Sequence, residues 1–310
     1  MRIAVIGIGD IAQKAYLPVL TQLKGVELVF CTRNKNRLQQ LALQYRIKEV
    51  YQDYRQLSKV NIDAVMIHSS TASHPEICAY FLQLGLPVFV DKPLADNAFD
   101  CERLYELAEK SRLPLYMGFN RRFIPLYIQY LPGLQCGSSE PPLLSLRWEK
   151  NRHNLPADIR TFVFDDFIHP LDSINIGAKS NLDGLQLSRQ FQGKQLARLD
   201  VQWQLENTIF EASMNRLYGI TCERVCANFA NRSYEFDSFV SGRCLQDNQE
   251  TIIRLQDWIP MLDAKGFCSM IEDWISVVKA GKLKQAVVER NLASHQLAEA
   301  VCQKIQSSIS

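Results

Sequence analysis

Four apolar residues, Ile3 to Ile6, run straight into Gly7-Ile8-Gly9-Asp10-Ile11-Ala12. No other junction constrains this chain as tightly. A continuous apolar run of strand length reads as a buried strand. A G-x-G-x-x-A turn directly after it is the form a strand takes when it passes into a helix beneath a pyrophosphate. Gly7 permits the tight turn, Gly9 lets backbone approach the phosphates, and Ala12 lets the helix pack closely. Asp10 and Ile11 open that helix, whose N-terminus favours an anion. The apolar run is too short for an export signal and turns at once into the glycines.

The same alternation continues. Apolar runs at Val26–Cys31, Glu49–Tyr51, Ala64–His68, Val88–Val90 and Leu115–Met117 are separated by helical patterns. Those patterns lie at Ile11–Leu23, Arg37–Tyr45, Pro75–Leu84 (closed by Gly85) and Ala98–Glu109. Strands apolar on both faces, each followed by an amphipathic helix, predict an α/β fold with a doubly wound parallel sheet over residues 1–118. After Gly118 the runs lengthen and alternate, at Leu143–Trp148, Arg198–Gln204, Thr208–Ser213 and Gly219–Phe229. Helical patterns there are Phe167–Ile176, Cys268–Val278 and Asn291–Ile305, and Pro132–Pro142 is the most loop-like stretch. This predicts an α+β second domain, residues 119–310, on a mostly antiparallel sheet. A length of 310 residues accommodates two such domains.

A net charge of +2 offers nothing to nucleic acid or to an anionic membrane surface. No apolar stretch is long enough to span a bilayer. The nine cysteines, an odd number, read as reduced and mostly buried thiols of a cytoplasmic protein. Cys222 and Cys226 have no second pair at zinc-site spacing, so no metal is expected.

The end of the second strand bears on which dinucleotide fits. Acidic residues there bind the ribose hydroxyls of NAD. This chain has Thr32-Arg33-Asn34-Lys35-Asn36-Arg37 instead. Thr32 can hydrogen-bond a 2′-phosphate, Arg33 can pair with it and stack on adenine, and Arg37 adds charge one turn later. That favours NADP, with NAD as the alternative. The plainer reading is a set of solvated cations at a helix start. Cations are unfavourable there.

Val88-Phe89-Val90-Asp91-Lys92-Pro93 ends the fifth strand, at the edge where such sheets hold ligands. With Thr71-Ala72-Ser73-His74, Gly118-Phe119-Asn120-Arg121-Arg122-Phe123 and the glycine turn, this run makes the chain resemble the Gfo/Idh/MocA oxidoreductases, and within them the MviM-like branch. The resemblance spans nearly the whole chain. It implies a catalytic Lys92, completed by an Asp and a His four residues apart, here Asp165 and His169. Two departures are visible. Asp91 replaces the usual Glu, and Arg160-Thr161-Phe162-Val163-Phe164 stands where a glycine run often precedes the Asp.

The family likeness implies hydride transfer to or from a sugar, polyol or related carbonyl compound. Lys92 would exchange the proton of the reacting oxygen, His169 would assist or act as base, and Asp165 would orient. A lysine amine near roughly 10.4 needs burial or a neighbouring cation such as Arg121 or Arg122 to serve as a base at neutral pH. Asp165 also suits a helix N-cap, and His169 a core position. His68, Ser69, His74 and Asp91 are expected around the cofactor. Asn120, Arg122, Lys150 and Arg152 are candidates for the substrate. The cleft between the two domains is the expected site, and a homo-oligomer the expected assembly. His153 and His295 receive no role. Two rival functions keep the scaffold: an NAD-dependent glycosidase working by transient oxidation, and a non-catalytic cofactor or ligand sensor.

Overall fold

A computed structural model of the chain describes residues 1–136 and 142–308. They form two compact units: Met1–Phe119 with Phe267–Lys284, and Asn120–Gly266 with Gln285–Ser310. The first is built on six strands, β1 (Arg2–Ile6), β2 (Glu27–Cys31), β3 (Val50–Tyr51), β4 (Ala64–Ile67), β5 (Val88–Val90) and β6 (Leu115–Met117). All pair in parallel, in the order β3-β2-β1-β4-β5-β6. The order reverses at β1 and β4, whose carboxyl ends carry the glycine turn and His68-Ser69. Buried strands need covering on both faces, which explains why β1, β4 and β5 read as unbroken apolar runs.

One cover comes from far along the chain. The helix Phe267–Ala280, expected in the second domain, belongs to the first unit. Its Trp274 packs against Phe89 and Tyr116, and the Tyr116 hydroxyl donates to the Asp273 carboxylate at 2.8 Å. The first helix also differs from expectation. Ala12–Tyr16 forms a π-turn, and α-helix follows only over Leu17–Leu20. The wide turn delivers Tyr16 into the core, with its ring centroid 3.9 Å from that of His68.

The second unit holds β7 (Leu143–Asn151), β8 (Gln186–Gln192), β9 (Gln195–Leu205), β10 (Thr208–Asn215), β11 (Cys222–Phe229), β12 (Arg232–Phe236), β13 (Ser241–Gln246) and β14 (Gln249–Arg254). Their order is β14-β13-β12-β11-β7-β10-β9-β8, antiparallel except for β7 against β10. The helices Ile168–Ile174 and Gln285–Ser307 supply its buried helical layer. β8 and β12–β14 were not anticipated. Within Pro132–Pro142, Gly133–Cys136 forms a helical turn, and residues 137–141 lie outside the described residues. Of the cysteines, Cys31, Cys78, Cys101 and Cys302 are buried, and Cys222, Cys226, Cys244 and Cys268 are partly exposed; all eight are free thiols. Among the described residues no helix is long and apolar enough to cross a membrane.

His68 makes the first unit acid-sensitive. Its ring is buried and, among the described residues, neither nitrogen has a hydrogen-bond partner. Burial, helped by nearby His74, pushes its pKa down to about 3. In the unfolded chain a histidine titrates near roughly 6.5. The neutral ring therefore contributes fully above that value, and its contribution is lost as pH falls from there towards 3. Lowering pH from 7 to 5 should cost the first unit about 2 kcal/mol through this residue alone. His68→Phe preserves the ring packing and should flatten that part of the slope. Urea unfolding of both proteins at the two pH values measures it, and equal slopes would exclude His68 as the cause.

Candidate functional site

In the first unit, the candidate residues gather where β1, β4 and β5 end. Gly7 has φ of +83°, and a Cβ there would lie 2.5 Å from the Ser69 backbone nitrogen. Only glycine fits. Gly9 presents the opposite case, since a Cβ there would meet nothing within 4 Å. The protein does not require glycine at that position, whereas a ligand lying on the backbone would. Gln13 Nε2 donates to the carbonyls of Ile8 and Gly9 and braces the turn. Beyond β2, Thr32 is half-buried, and Arg33 and Arg37 are exposed. Asn34 caps the helix Lys35–Tyr45 by accepting the Arg37 N–H at 3.0 Å.

The turn that carries Lys92 is tied down from two sides. His74 sets its ring nitrogens 2.8 Å from the Pro93 carbonyl oxygen and 3.0 Å from that of Ser69. Burial holds the His74 pKa below the usual histidine value despite those carbonyls and Asp91. A neutral ring has one N–H, so it donates to one of these carbonyls and packs against the other, beside the cis Lys92–Pro93 peptide. Asp91 is buried and accepts the Tyr16 hydroxyl at 3.0 Å and the Lys92 N–H at 2.9 Å. Burial raises the Asp91 carboxyl, and burial with Asp91 beside it raises the Tyr16 phenol, so Tyr16 donates. Gly118 is small for the same reason: a Cβ there would come within 2.8 Å of the Tyr16 oxygen. Lys92 is half-buried at this point. His68, expected near the cofactor, is a core residue under Tyr16.

In the second unit, a second π-turn, Thr161–Phe167, leads into the helix Ile168–Ile174. Such turns recur at functional sites. Asp165 is exposed, whereas Asp166 and His169 are buried. Asp166 pairs with Lys150, with Arg152 at 2.7 Å and with Arg216 at 3.2 Å. Burial alone would raise this carboxyl, but Lys150 and Arg152 outweigh it and hold it far below the usual range. Lys150 is pushed well down by burial and by Arg121, against the pull of Asp166 and Glu223. Three cations thus share one carboxylate. Of them only Lys150 can yield a proton, because a guanidinium does not.

His169 Nδ1 lies 2.9 Å from Arg121 Nη1. Arg121 is also bidentate to Glu223, at 2.6 and 2.8 Å. Asn120 donates to the Lys265 carbonyl at 2.8 Å. Arg122, a substrate candidate by sequence, spends its guanidinium on buried Asp172 through Nε at 3.0 Å and Nη2 at 2.5 Å. Tyr16, Glu223 and Asp166 escaped sequence reasoning. The Asp165-Asp166 doublet was the only available signal, and it does not say which acid turns inward.

Comparison with known proteins agrees with this architecture. The family model for Gfo/Idh/MocA, described as an oxidoreductase family with an NAD-binding Rossmann fold, matches residues 1–119. YceM of Salmonella typhimurium, whose name as an oxidoreductase is provisional, is 30% identical over 97% of this chain and 97% of its own. Inositol 2-dehydrogenase of Acidothermus cellulolyticus is 30% identical over 56% of this chain and 52% of that enzyme. A crystal structure of a Gfo/Idh/MocA family oxidoreductase from Vibrio cholerae is 57% identical, superposes with a TM-score of 0.96 and covers 100% of this chain and 99% of its own. With a six-stranded Rossmann sheet, a glycine turn that only glycine can make and relatives matched end to end, the chain belongs to the Gfo/Idh/MocA oxidoreductase family.

Proposed function

We propose that this oxidoreductase prefers NADP(H) and acts on a hydroxyl-bearing carbon of a sugar or polyol, or on the matching carbonyl. The observation that carries the reading is Gly9, whose missing side chain faces open space at the end of β1. The bound dinucleotide supplies a hydride acceptor or donor. Gly7, Gly9, Asp10, Ile11 and Ala12 would hold its pyrophosphate, with Ser69 and Asp91 shaping the adjoining wall. Thr32, Arg33 and Arg37 would take the 2′-phosphate, two exposed guanidinia being suited to a doubly charged group.

Lys92 Nζ exchanges the proton of the reacting oxygen, and His169 with Asp165 assists in the second unit. Asn120, Lys150 and Arg152 remain the substrate candidates. Arg152 is the one of these three whose side chain is about a third exposed, so it is the one that can meet a polyhydroxyl or anionic group directly. The inositol 2-dehydrogenase relative supports the polyol assignment.

Titration with NADPH and NADH, followed by tryptophan emission, tests the cofactor. NADPH should bind more tightly. Arg33→Ala should weaken NADPH about 10- to 100-fold, the worth of one charge-assisted hydrogen bond, and leave NADH nearly unchanged. Equal losses for both would refute the 2′-phosphate assignment, and binding of neither by folded, cofactor-free protein would remove the whole reading.

A further inference from the structure

We infer that Arg121, anchored by Glu223, fixes His169 as the neutral imidazole with its proton on Nε2, so that this residue donates a hydrogen bond and does not act as the base. A guanidinium has five N–H donors and no acceptor. Across the 2.9 Å between Arg121 Nη1 and His169 Nδ1, the ring nitrogen must therefore offer its lone pair. A neutral imidazole with a lone pair on Nδ1 carries its hydrogen on Nε2. This is the reverse of the arrangement in which a carboxylate accepts Nδ1–H and prepares Nε2 to take a proton. Protonating this ring would set an N–H against an N–H.

The guanidinium is not at liberty to turn away. Its Nε and Nη2 are both donated to Glu223, and Nη1 also reaches Asn120 Oδ1 at 3.3 Å. Glu223 on β11 is buried and takes a further hydrogen bond from Trp148 Nε1 at 2.7 Å. Burial would raise its carboxyl, but Arg121 more than offsets this and keeps it ionised. The relay Trp148–Glu223–Arg121–His169 thus joins β7, β11, the turn after β6 and the helix Ile168–Ile174. Each bond leaves one orientation for the next side chain. Arg121 and Glu223 are positioning residues acting through His169. Resting on the reading of Lys92 above, the consequence is a division of labour. His169 Nε2–H is a donor and takes no proton. The hydroxyl proton released when substrate is oxidised is left to Lys92, and in reduction Lys92 returns it.

The tautomer is measurable without cofactor or substrate, so this inference and the cofactor assignment fail separately. Protein labelled with ¹⁵N-histidine gives long-range ¹H–¹⁵N spectra of five imidazoles, and His169→Gln identifies the one that matters by its loss. At neutral pH, Nδ1 of His169 should show the unprotonated and Nε2 the protonated signature. Protonation at Nδ1, alone or with Nε2, would overturn the inference in the wild-type protein itself, whatever the variants do. Arg121→Met should abolish the fixed pattern, and Arg121→Lys, which keeps a donor, should restore most of it. An unchanged His169 signature in folded Arg121→Met would equally overturn the inference.

Discussion

Lys92→Ala is expected to lower kcat by about 10²- to 10⁴-fold, the usual worth of a positioned proton-transfer group, while leaving dinucleotide affinity nearly unchanged. Two features make this more than a routine deletion. The backbone on either side of Lys92 is held independently of its amine: its own N–H is donated to Asp91, and the following Pro93 carbonyl is braced by His74. Removing the side chain should thus leave the turn intact. Lys92→Arg makes the sharper test. It keeps the charge and much of the length, but a guanidinium does not exchange its proton near neutral pH. If the residue only attracted the substrate electrostatically, arginine would recover activity. If it moves a proton, arginine should be almost as inactive as alanine. Steady-state kinetics on any substrate the wild type turns over, with cofactor titrations beside it, separates the two. Wild-type turnover in folded Lys92→Ala would remove the residue from the chemistry.

The legibility of the turn that carries Lys92, and the illegibility of the side-chain network around His169, have one physical origin. β1, β5 and β6 are short continuous apolar runs because both of their faces are buried, and their extents were readable within a residue or so. A lysine immediately after such a run lands at the ligand edge of the sheet. β8 and β14 carry almost no buried face, and in Gln249–Arg254 only Ile253 is buried. Hydrophobic periodicity has nothing to report there, and backbone pairing with a neighbouring strand decides the structure. Side-chain pairing is less legible still. Arg121 and Glu223 stand 102 positions apart, and no local pattern joins them. The helix Phe267–Ala280 was recognised as a helix, but its amphipathic pattern could not say which sheet it would cover.

The π-turns mark a second limit. Ala12–Tyr16 and Thr161–Phe167 satisfy an apolar helical pattern as well as an α-helix would, so periodicity did not separate the two forms. Tyr16 lies within the first and Asp166 within the second. Both are buried polar groups whose partners come from distant strands or turns: Asp91 for the one, Lys150, Arg152 and Arg216 for the other. The sequence motif nevertheless identified the neighbourhood in each case, through Ala12 and through Asp165.

Arg122 shows how a residue beside a family motif can serve the fold instead. Its guanidinium is bound to Asp172, which is fully buried, and Asp172 also accepts the Ser294 hydroxyl at 2.7 Å. Arg290 donates to the Asp172 carbonyl at 2.7 Å and to that of Leu134 at 2.6 Å. Burial would raise the Asp172 carboxyl, but Arg122 and Arg290 outweigh it and hold it below the ordinary range. Asp172→Leu should therefore destabilise the second unit by about 3–5 kcal/mol, since it removes the buried carboxylate that two guanidinia share. Arg122→Met combined with Asp172→Leu should cost less than Asp172→Leu alone, because one of the two cations leaves with the carboxylate. The pH dependence follows from the depressed carboxyl. Its contribution is complete above the unfolded-chain value near roughly 3.9 and is lost as pH falls through the folded value, so the wild type should weaken in acid more steeply than Asp172→Leu. Urea unfolding monitored by tryptophan emission reads all three proteins. A double variant less stable than the single would show that Arg122 contributes packing and hydrogen bonds beyond its pairing with Asp172, and a single variant as stable as wild type would refute the account of this network.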